Sequence, residues 1–325
     1  MNPRNSTIDL AKFIAALLVI AIHTSLFSDV NDTLYFVFNE LICRLAVPFF
    51  AICTGYYLCL NINSDQSNKV WKQEWKLIKI YALWTLLYFL FLIPNWIEIG
   101  YLSIPNYIGY LKSAVLIGSY FHLWYVLYVI YAIPVFYLCL KYICPSQWLC
   151  IAILLYGINA FNYGYTSFFP EDSWVQIFSC INKGYAIVKS QFVILPMLLC
   201  GAYLTKHSGS PKRNMSFLIL SFIALIAEAS LLRQYGHIEK VSQIMMILPT
   251  ACFIFATLLD LRIDKPIYKH LGAMSLIIYC VHPMFCRYTN DIAPNTITSF
   301  VIVCILSSIV AFLWIIIKRI NKKIL

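Results

Sequence analysis

Charged residues are scarce in this 325-residue chain, in which Asp, Glu, Lys and Arg make up 12% of the sequence and hydrophobic residues 61%. The mean hydropathy is +0.77. A soluble domain of this size cannot cover so much apolar side chain with polar surface, so the composition excludes a soluble globular protein. At roughly 20 residues per crossing, the chain has room for about ten transmembrane helices and little else.

The sequence also lacks the patterns of several other protein classes. The first apolar run contains Asp9, Lys12 and His23, and no small-residue cleavage site follows it, so a removable signal peptide is not expected. The twelve cysteines lie mostly in apolar runs without paired or metal-ligand spacing, which predicts packing thiols, no disulfide and no metal site. No internal repeat or matching pair of broken helices is present, which weakly disfavours a transporter.

Apolar runs dominate what is present, and they predict an all-α polytopic membrane bundle. The simplest domain division is a single transmembrane domain over 1–325. The ten runs that predict crossings are 9–27, 34–60, 77–93, 121–140, 148–160, 191–206, 214–232, 243–259, 272–289 and 298–318.

Two connecting stretches are long. The stretch 94–120 contains prolines and glycines between aromatic residues, and it predicts an interfacial or re-entrant segment instead of a crossing. The stretch 161–190, which carries Glu171 and Asp172, is the only insertion long enough to shape a substrate entrance.

The distribution of basic residues gives the bundle a direction. Sixteen of the 24 Lys and Arg fall on the side of the two termini, five fall on the opposite side, and three lie within predicted helices. Because cytoplasmic loops carry an excess of Lys and Arg, both termini are predicted to be cytoplasmic and the number of crossings even. The net charge of +10 is dispersed between apolar runs, which indicates orientation in the membrane and no nucleic-acid partner.

The first apolar run carries three ionisable residues on one face. His23 follows Lys12 by eleven positions, which places the two residues about 20° apart in azimuth and about 16 Å apart along a helix. Asp9 precedes Lys12 by three residues, at ion-pair spacing. Lys12 is also compatible with snorkelling to the cytoplasmic interface, and His23 with a buried structural histidine.

The second run holds Glu40 and Arg44 at i, i+4, and Pro48 follows four residues later. The two charges can lessen the cost of burying each other, so a pair that only fixes helix packing is one interpretation. The proline predicts a kink on its amino-terminal side, which is tolerated where protein or water lines the gap.

Four further ionisable residues fall in or at the ends of other runs. His122 is compatible with an interfacial aromatic belt, and His282 with the cap of a helix broken at Pro283. Glu228 and Arg287 are intramembrane charges whose partners the sequence does not indicate.

The predicted depths of these residues suggest a polar tunnel across the membrane. Asp9 and Lys12 are predicted near the cytoplasm and Arg44 near the middle. Four residues are predicted towards the outside, namely His23, Glu40, His122 and His282. A histidine beside a carboxylate suits general-base chemistry, because its pKa lies near neutral pH and its partner fixes the tautomer. Cations in the inner half suit a phosphorylated donor that enters from the cytoplasm.

These residues resemble the acyltransferase 3 family of integral-membrane proteins, which carry a basic residue, ten intervening residues and a histidine in the first span. Lys12 and His23 match that pattern, and further matches cover nearly the whole chain in order. Lysine replaces the arginine common in the family, and it loses bidentate phosphate recognition. The other matching positions are Asp9, 44–50 with Gly55, 122–125 and 279–283.

The resemblance implies transfer of an acyl group, commonly acetyl, from cytoplasmic acyl-CoA to an acceptor hydroxyl of the cell envelope, at the outer face of a bacterial cytoplasmic membrane. His23 would be the catalytic base, helped by Glu40 or His122, and Lys12 and Arg44 would contact the CoA. Expected partners are lipid, acyl-CoA and the acceptor, and a homodimer is a possible assembly. The expected substrate-binding or tunnel residues are Asp9, Trp124, Tyr125, Glu228, His282 and Arg287.

Within this family, the segments 227–232, 236–237 and 245–249 resemble the membrane portion of VanT-type serine racemases of vancomycin-resistant enterococci. Those proteins carry a soluble pyridoxal-phosphate racemase domain after the last span, and this sequence has none, which fits a truncated chain or a stand-alone relative. The resemblance leaves a second function open, in which the membrane domain transports or supplies L-serine.

Overall fold

A computed structural model of the chain describes residues 5–63, 67–165, 184–207, 209–235, 243–261, 263 and 265–324. Every regular element in these ranges is helical, which confirms the all-α prediction. Most of the predicted entrance stretch, with Glu171 and Asp172, lies outside the described residues, as do 236–237. The α-helices are α1 (Ser6–His23), α2 (Asp32–Tyr35), α3 (Ala46–Asn63), α4 (Ser67–Glu98), α5 (Ile104–Leu116), α6 (Trp124–Tyr142), α7 (Pro145–Gly164), α8 (Ala186–Leu204), α9 (Pro211–Tyr235), α10 (Ile247–Asp260), α11 (Pro266–Ile292) and α12 (Thr296–Ile324).

Within the described ranges, seven helical stretches are long and apolar enough to cross a membrane, so the chain is a multi-pass membrane protein. They are Ser6–His23, Asp32–Ile62, Asn68–Glu98, Trp124–Tyr142, Ala186–Leu204, Pro211–Tyr235 and Thr296–Lys318. The other three predicted crossings fall on α7, α10 and α11. Of these, α10 has 14 residues, or about 21 Å, which is short of a hydrocarbon core of about 30 Å. The number ten stays a prediction.

The second predicted crossing is not one regular helix. Between α2 and α3 the chain forms a π-helical turn at Phe36–Ile42 and a 3₁₀ turn at Cys43–Leu45. Both lie on the amino-terminal side of Pro48, where a distortion was expected because proline has no backbone N–H. Such π-helical turns are rare and frequently occur at functional positions.

The predicted segment 94–120 begins later than expected, because α4 continues through Pro94 to Glu98. Membrane helices tolerate proline where neighbouring groups satisfy the carbonyl that it leaves. The next element, α5, has 13 residues and a length of about 20 Å, too short for a crossing.

Helix α5 runs back along the second half of α4. The Tyr110 hydroxyl donates to the Thr85 carbonyl at 2.8 Å, and the Phe89 ring lies 5.9 Å from the ring of Tyr107. Residues later in α4 therefore face residues earlier in α5, so the two helices are antiparallel. Of the two predicted alternatives, this arrangement favours a re-entrant segment over one that lies flat on the membrane.

The described chain divides into two compact units, residues 1–50 with 208–325 and residues 51–207. In the first unit, α11 packs against both α1 and α12, α9 packs against α10, and the π-helical turn contacts α1 and α9. The core between α1, α11 and α12 contains the buried side chains of Ala16, Ile20, Met274, Ile278 and Val303.

In the second unit, α8 packs against α6 and α7, and two glycines bring α3 and α8 into backbone contact. A Cβ on Gly55 would lie 2.5 Å from the Leu198 Cα and closer still to the Leu198 carbonyl oxygen. A Cβ on Gly201 would overlap the Ile52 carbonyl oxygen. Neither position accommodates a larger residue without separating the helices.

Candidate functional site

Two histidines from distant parts of the sequence meet in the first unit. His23 is the last residue of α1 and His282 lies in α11, and their rings stack with centroids 5.3 Å apart and an interplanar angle of 28°. His282 is fully buried, whereas His23 is partly exposed. The packing of α11 along α1 thus leaves the His23 imidazole partly exposed and stacks it on a second imidazole that is buried.

The hydrogen bonding of His282 fixes its tautomer. Its Nδ1 lies 3.2 Å from the carbonyl oxygen of Ile278, one turn earlier in α11. A carbonyl only accepts, so Nδ1 carries the proton in this bond and Nε2 of the neutral ring is an acceptor. The ring centroids of Tyr279 and His282 lie 6.1 Å apart, so His282 contacts the rings of both His23 and Tyr279.

The predicted Glu40–Arg44 pair is present on the irregular segment before α3. Arg44 Nη2 lies 2.8 Å from Glu40 Oε1 and Arg44 Nε lies 3.2 Å from Oε2, which is a bidentate geometry. Glu40 is 2% exposed and Arg44 is partly exposed. The Tyr35 hydroxyl also donates to Glu40, at 3.4 Å. Both carboxylate oxygens are therefore engaged, so Glu40 is better placed to orient Arg44 than to move a proton.

Arg44 also interacts electrostatically with His23. Arg44 lies on the 3₁₀ turn Cys43–Leu45, which also packs against α1. In the first unit, His282 and the Glu40–Arg44 pair thus lie on elements that pack against α1, the helix that ends at His23.

At the other end of α1, Lys12 Nζ lies 4.0 Å from Asp9 Oδ1, the predicted i, i+3 pair. Asp9 is buried against Gly272 of α11, where a Cβ would lie 2.5 Å from Asp9 Oδ1. Lys12 keeps partial exposure. Since α1 is continuous from Ser6 to His23, Lys12 and His23 occupy one face of a single helix, as predicted.

The remaining outer-half candidates, His122, Trp124 and Tyr125, belong to the second unit. His122 is buried just before α6, and its ring packs edge-on against Tyr88 at 5.1 Å. The Trp124 ring contacts Tyr128 at 5.0 Å, and the buried Tyr125 hydroxyl bonds with the side chain of Thr54. Aromatic rings therefore surround His122, and its predicted place in an interfacial aromatic belt stays a prediction.

Glu228 has partners that the sequence did not indicate. Its carboxylate accepts hydrogen bonds from the backbone N–H groups of Met245, at 2.9 Å, and Met246, at 2.8 Å, directly before α10. A carboxylate at a helix amino terminus satisfies unpaired donors and complements the helix dipole. This contact gives Glu228 a structural role. Arg287 lies partly exposed in the last part of α11.

Sequence reasoning missed Asn39, which is 0% exposed on the π-helical turn. Its Nδ2 donates to the Ala21 carbonyl at 2.9 Å, two residues before His23, so it ties the π-helical turn to the end of α1. Its Oδ1 is buried without a hydrogen-bond partner among the described residues. The sequence does carry a signal for this residue, because Asn39 is a second polar residue next to Glu40 in an apolar run.

These groups define the class of the protein, a multi-pass helical membrane protein with a histidine pair and a bidentate ion pair among its helices. The chain belongs to the acyltransferase 3 family, whose acyltransferase domain matches residues 5–318.

The similar curated proteins are racemases. An amino-acid racemase of Enterococcus faecalis is 27% identical over 344 residues, which cover 98% of this chain and 47% of the relative. A serine/alanine racemase of Enterococcus gallinarum is 27% identical over 323 residues, 94% of this chain and 45% of the relative. The chain thus spans about half the length of these relatives. No solved structure matches it.

Proposed function

We propose that the chain is an O-acyltransferase that transfers an acyl group, such as acetyl, from cytoplasmic acyl-CoA to an acceptor hydroxyl at the outer face of a bacterial cytoplasmic membrane. The observation that carries the proposal is the partly exposed imidazole of His23, stacked on the buried His282, in a member of this family.

In the proposed step, His23 removes the proton of the acceptor hydroxyl, and the oxygen attacks the thioester carbonyl of acyl-CoA. The C–S bond then breaks, and the proton passes from His23 to the leaving thiolate, so the products are the ester and free CoA. The Arg44 guanidinium, held in place by Glu40, stabilises negative charge on the carbonyl oxygen. Lys12, at the opposite end of α1, offers a point charge to a CoA phosphate.

The test is release of CoA thiol from acetyl-CoA by purified protein in proteoliposomes with acceptor glycans. We expect His23→Ala to lower the rate by about 10²-fold to 10⁴-fold, the usual contribution of a general base. His207→Ala is the matched control, because His207 is an exposed histidine that stacks on Tyr203. Rapid release that is equal in wild type and His23→Ala would exclude the assignment of His23 as base.

The names of the relatives favour one alternative, in which the membrane domain supplies L-serine to a racemase. In this case the same cationic and imidazole groups would bind the carboxylate and hydroxyl of the amino acid. Uptake of labelled L-serine into proteoliposomes separates the two functions, because an acyltransferase gives thiol release without uptake. Uptake equal to that of empty vesicles would eliminate the alternative.

The proposed topology has ten crossings, with both termini in the cytoplasm. It includes α7, α10 and α11 as crossings within the bundle. Helix α11 packs against α1 and α12, and its polar residues Ser275, His282 and Thr289 are buried in protein. A helix in this position can cross a membrane with a less apolar sequence than one that faces lipid.

A further inference from the structure

Four lysines lie on one exposed face of α4, close to its amino terminus. Their spacing of i, i+3, i+7 and i+10 places them within an arc of about 80° around the helix axis. All four side chains are exposed. We call this surface the lysine face, and it consists of Lys69, Lys72, Lys76 and Lys79.

Two tryptophans border the lysine face. Trp71 is 41% exposed and Trp75 is 58% exposed, and Lys79 Nζ lies 5.8 Å from the centre of the Trp75 ring. On the opposite side of the same turns, Val70 and Glu74 are buried. The amino-terminal part of α4 therefore has a protein side and an outward side, and the outward side combines positive charge with large amphipathic rings.

The length of α4 places this surface at the edge of the membrane. Its 32 residues span about 48 Å, whereas a bilayer's hydrocarbon core is about 30 Å thick. Residues 80–98, which follow the last lysine, are themselves about 28 Å long and can fill the core. The segment 67–79 then lies at the headgroup level, where Trp rings and Lys side chains are favoured.

The positive charge of the lysine face is not neutralised within the described part of the protein. No carboxylate there lies within ion-pair distance of any of the four ammonium groups, although Asp9–Lys12 and Glu40–Arg44 pairs are present elsewhere. Four lysines beside a transmembrane segment attract anionic lipid, at about 1 kcal/mol for each charge near the surface. A basic face at headgroup depth with no carboxylate beside it among the described residues thus fits an anionic ligand.

We propose that the lysine face, with Trp71 and Trp75, is a binding site for the phosphate headgroups of anionic lipids, such as phosphatidylglycerol, in the adjacent leaflet. The lipid is favoured over a soluble phosphate because the two exposed rings add apolar contact with glycerol and acyl chains, which a free phosphate cannot use. This site is independent of the His23 chemistry.

Native mass spectrometry of the full chain in detergent, titrated with phosphatidylglycerol or phosphatidylcholine, tests the proposal. We expect wild type to prefer phosphatidylglycerol by about tenfold or more, and we expect replacement of all four lysines by Gln to remove most of that preference. The matched control replaces four other exposed lysines by Gln and should keep it. Those four are Lys141, Lys212, Lys265 and Lys269.

Two results would overturn the proposal. The first is a lipid preference that the lysine-face variant keeps, or that both quadruple variants lose equally, because the charge would then act without a defined site. The second is displacement of phosphatidylglycerol by millimolar glycerol 3-phosphate or adenosine 3′,5′-bisphosphate, since the face would then be a site for soluble phosphates. Circular dichroism of each variant verifies that the helices are retained.

Discussion

At the scale of single residues, Gly272 is where α11 comes closest to the charged start of α1. A Cβ at this position would lie 2.5, 2.6 and 2.7 Å from the Oδ1, Cβ and Cγ atoms of Asp9. Gly272→Ala must therefore displace Asp9 or separate the two helices. We expect a loss of about 1–3 kcal/mol in stability, the usual cost of overpacking, measured as a lower Tm in detergent.

The control for this prediction is Gly109→Ala in α5, because no atom lies within 4 Å of a Cβ at Gly109. Removing a helical glycine from an open position should leave stability unchanged or raise it by up to about 1 kcal/mol. Equal effects of the two substitutions would contradict the close approach of Asp9 to Gly272.

Residue spacing was enough to predict contacts between residues one turn apart in the sequence, and Glu40–Arg44 and Asp9–Lys12 are both present. It was not enough for contacts between helices. The stacking of His23 on His282 depends on how α11 packs along α1, and helical periodicity carries no information on which distant run is the neighbour. The role of each site residue in catalysis stays a prediction.

At the scale of helices and turns, the connection after α1 is hydrogen-bonded to the first residue of α12. The Thr296 backbone N–H donates to Asp29 Oδ2 at 3.0 Å, the Thr296 hydroxyl donates to Asp29 Oδ1, and the Phe27 N–H donates to the Thr296 hydroxyl at 3.1 Å. Ser25 and Phe27 adopt φ angles of 50° and 74°, which non-glycine residues rarely adopt. The contact with α12 holds this turn in shape.

This contact predicts a pH dependence of stability. Hydrogen bonds from the Thr296 hydroxyl and then the Thr296 N–H lower the pKa of Asp29 below its ordinary value of 3.8. Because the pKa is lower in the folded protein, the contribution to stability is present above about pH 4 and is lost as the pH falls through the folded-state pKa. Asp29→Ala should therefore lower Tm at pH about 7 and have progressively less effect below pH about 4.

A Thr296→Val background supplies the matched comparison for Asp29→Ala, since the two residues share this contact. In that background the substitution at Asp29 should have a smaller effect at neutral pH. A Tm difference that is constant from neutral to acidic pH would contradict the proposed contribution of the carboxylate.

The sequence predicted where the helices lie better than it predicted where they are irregular. Each of the ten predicted runs overlaps a helix, because long apolar stretches in lipid must satisfy their backbone groups internally. The π-helical turn at Phe36–Ile42 was not predicted, since a pattern read at 3.6 residues per turn cannot show where the winding changes. The passage of α4 through Pro94 was missed for a related reason, because proline alone marks a helix end in water more reliably than in a membrane.

At the scale of the whole molecule, the number of crossings decides where the termini lie. An even number such as ten places both termini on one side, whereas seven would place them on opposite sides. We expect a fluorescent-protein fusion at either terminus to be bright and an alkaline phosphatase fusion after residue 325 to be inactive. Phosphatase fused after Gly100, at the end of α4, should be active, because that position is predicted to face outward.

Opposite results at the two termini would rule out an even number of crossings. Inactive phosphatase after Gly100 would instead reverse the predicted direction of α4 and place the lysine face in the outer leaflet. The bias of Lys and Arg is the basis of this predicted topology, whereas the division of the described chain into two units leaves no comparable trace in composition.

The glycine crossing of α3 and α8 limits how the second unit can move. The two backbones touch at Gly55 with Leu198 and at Gly201 with Ile52. At such a contact the crossing angle between the two helices can change. Neither helix can slide along its partner, because the next step would drive Ile52 or Leu198, both fully buried, into a backbone. Any change of shape of the second unit therefore has to turn about this crossing and cannot shift the register of the two helices.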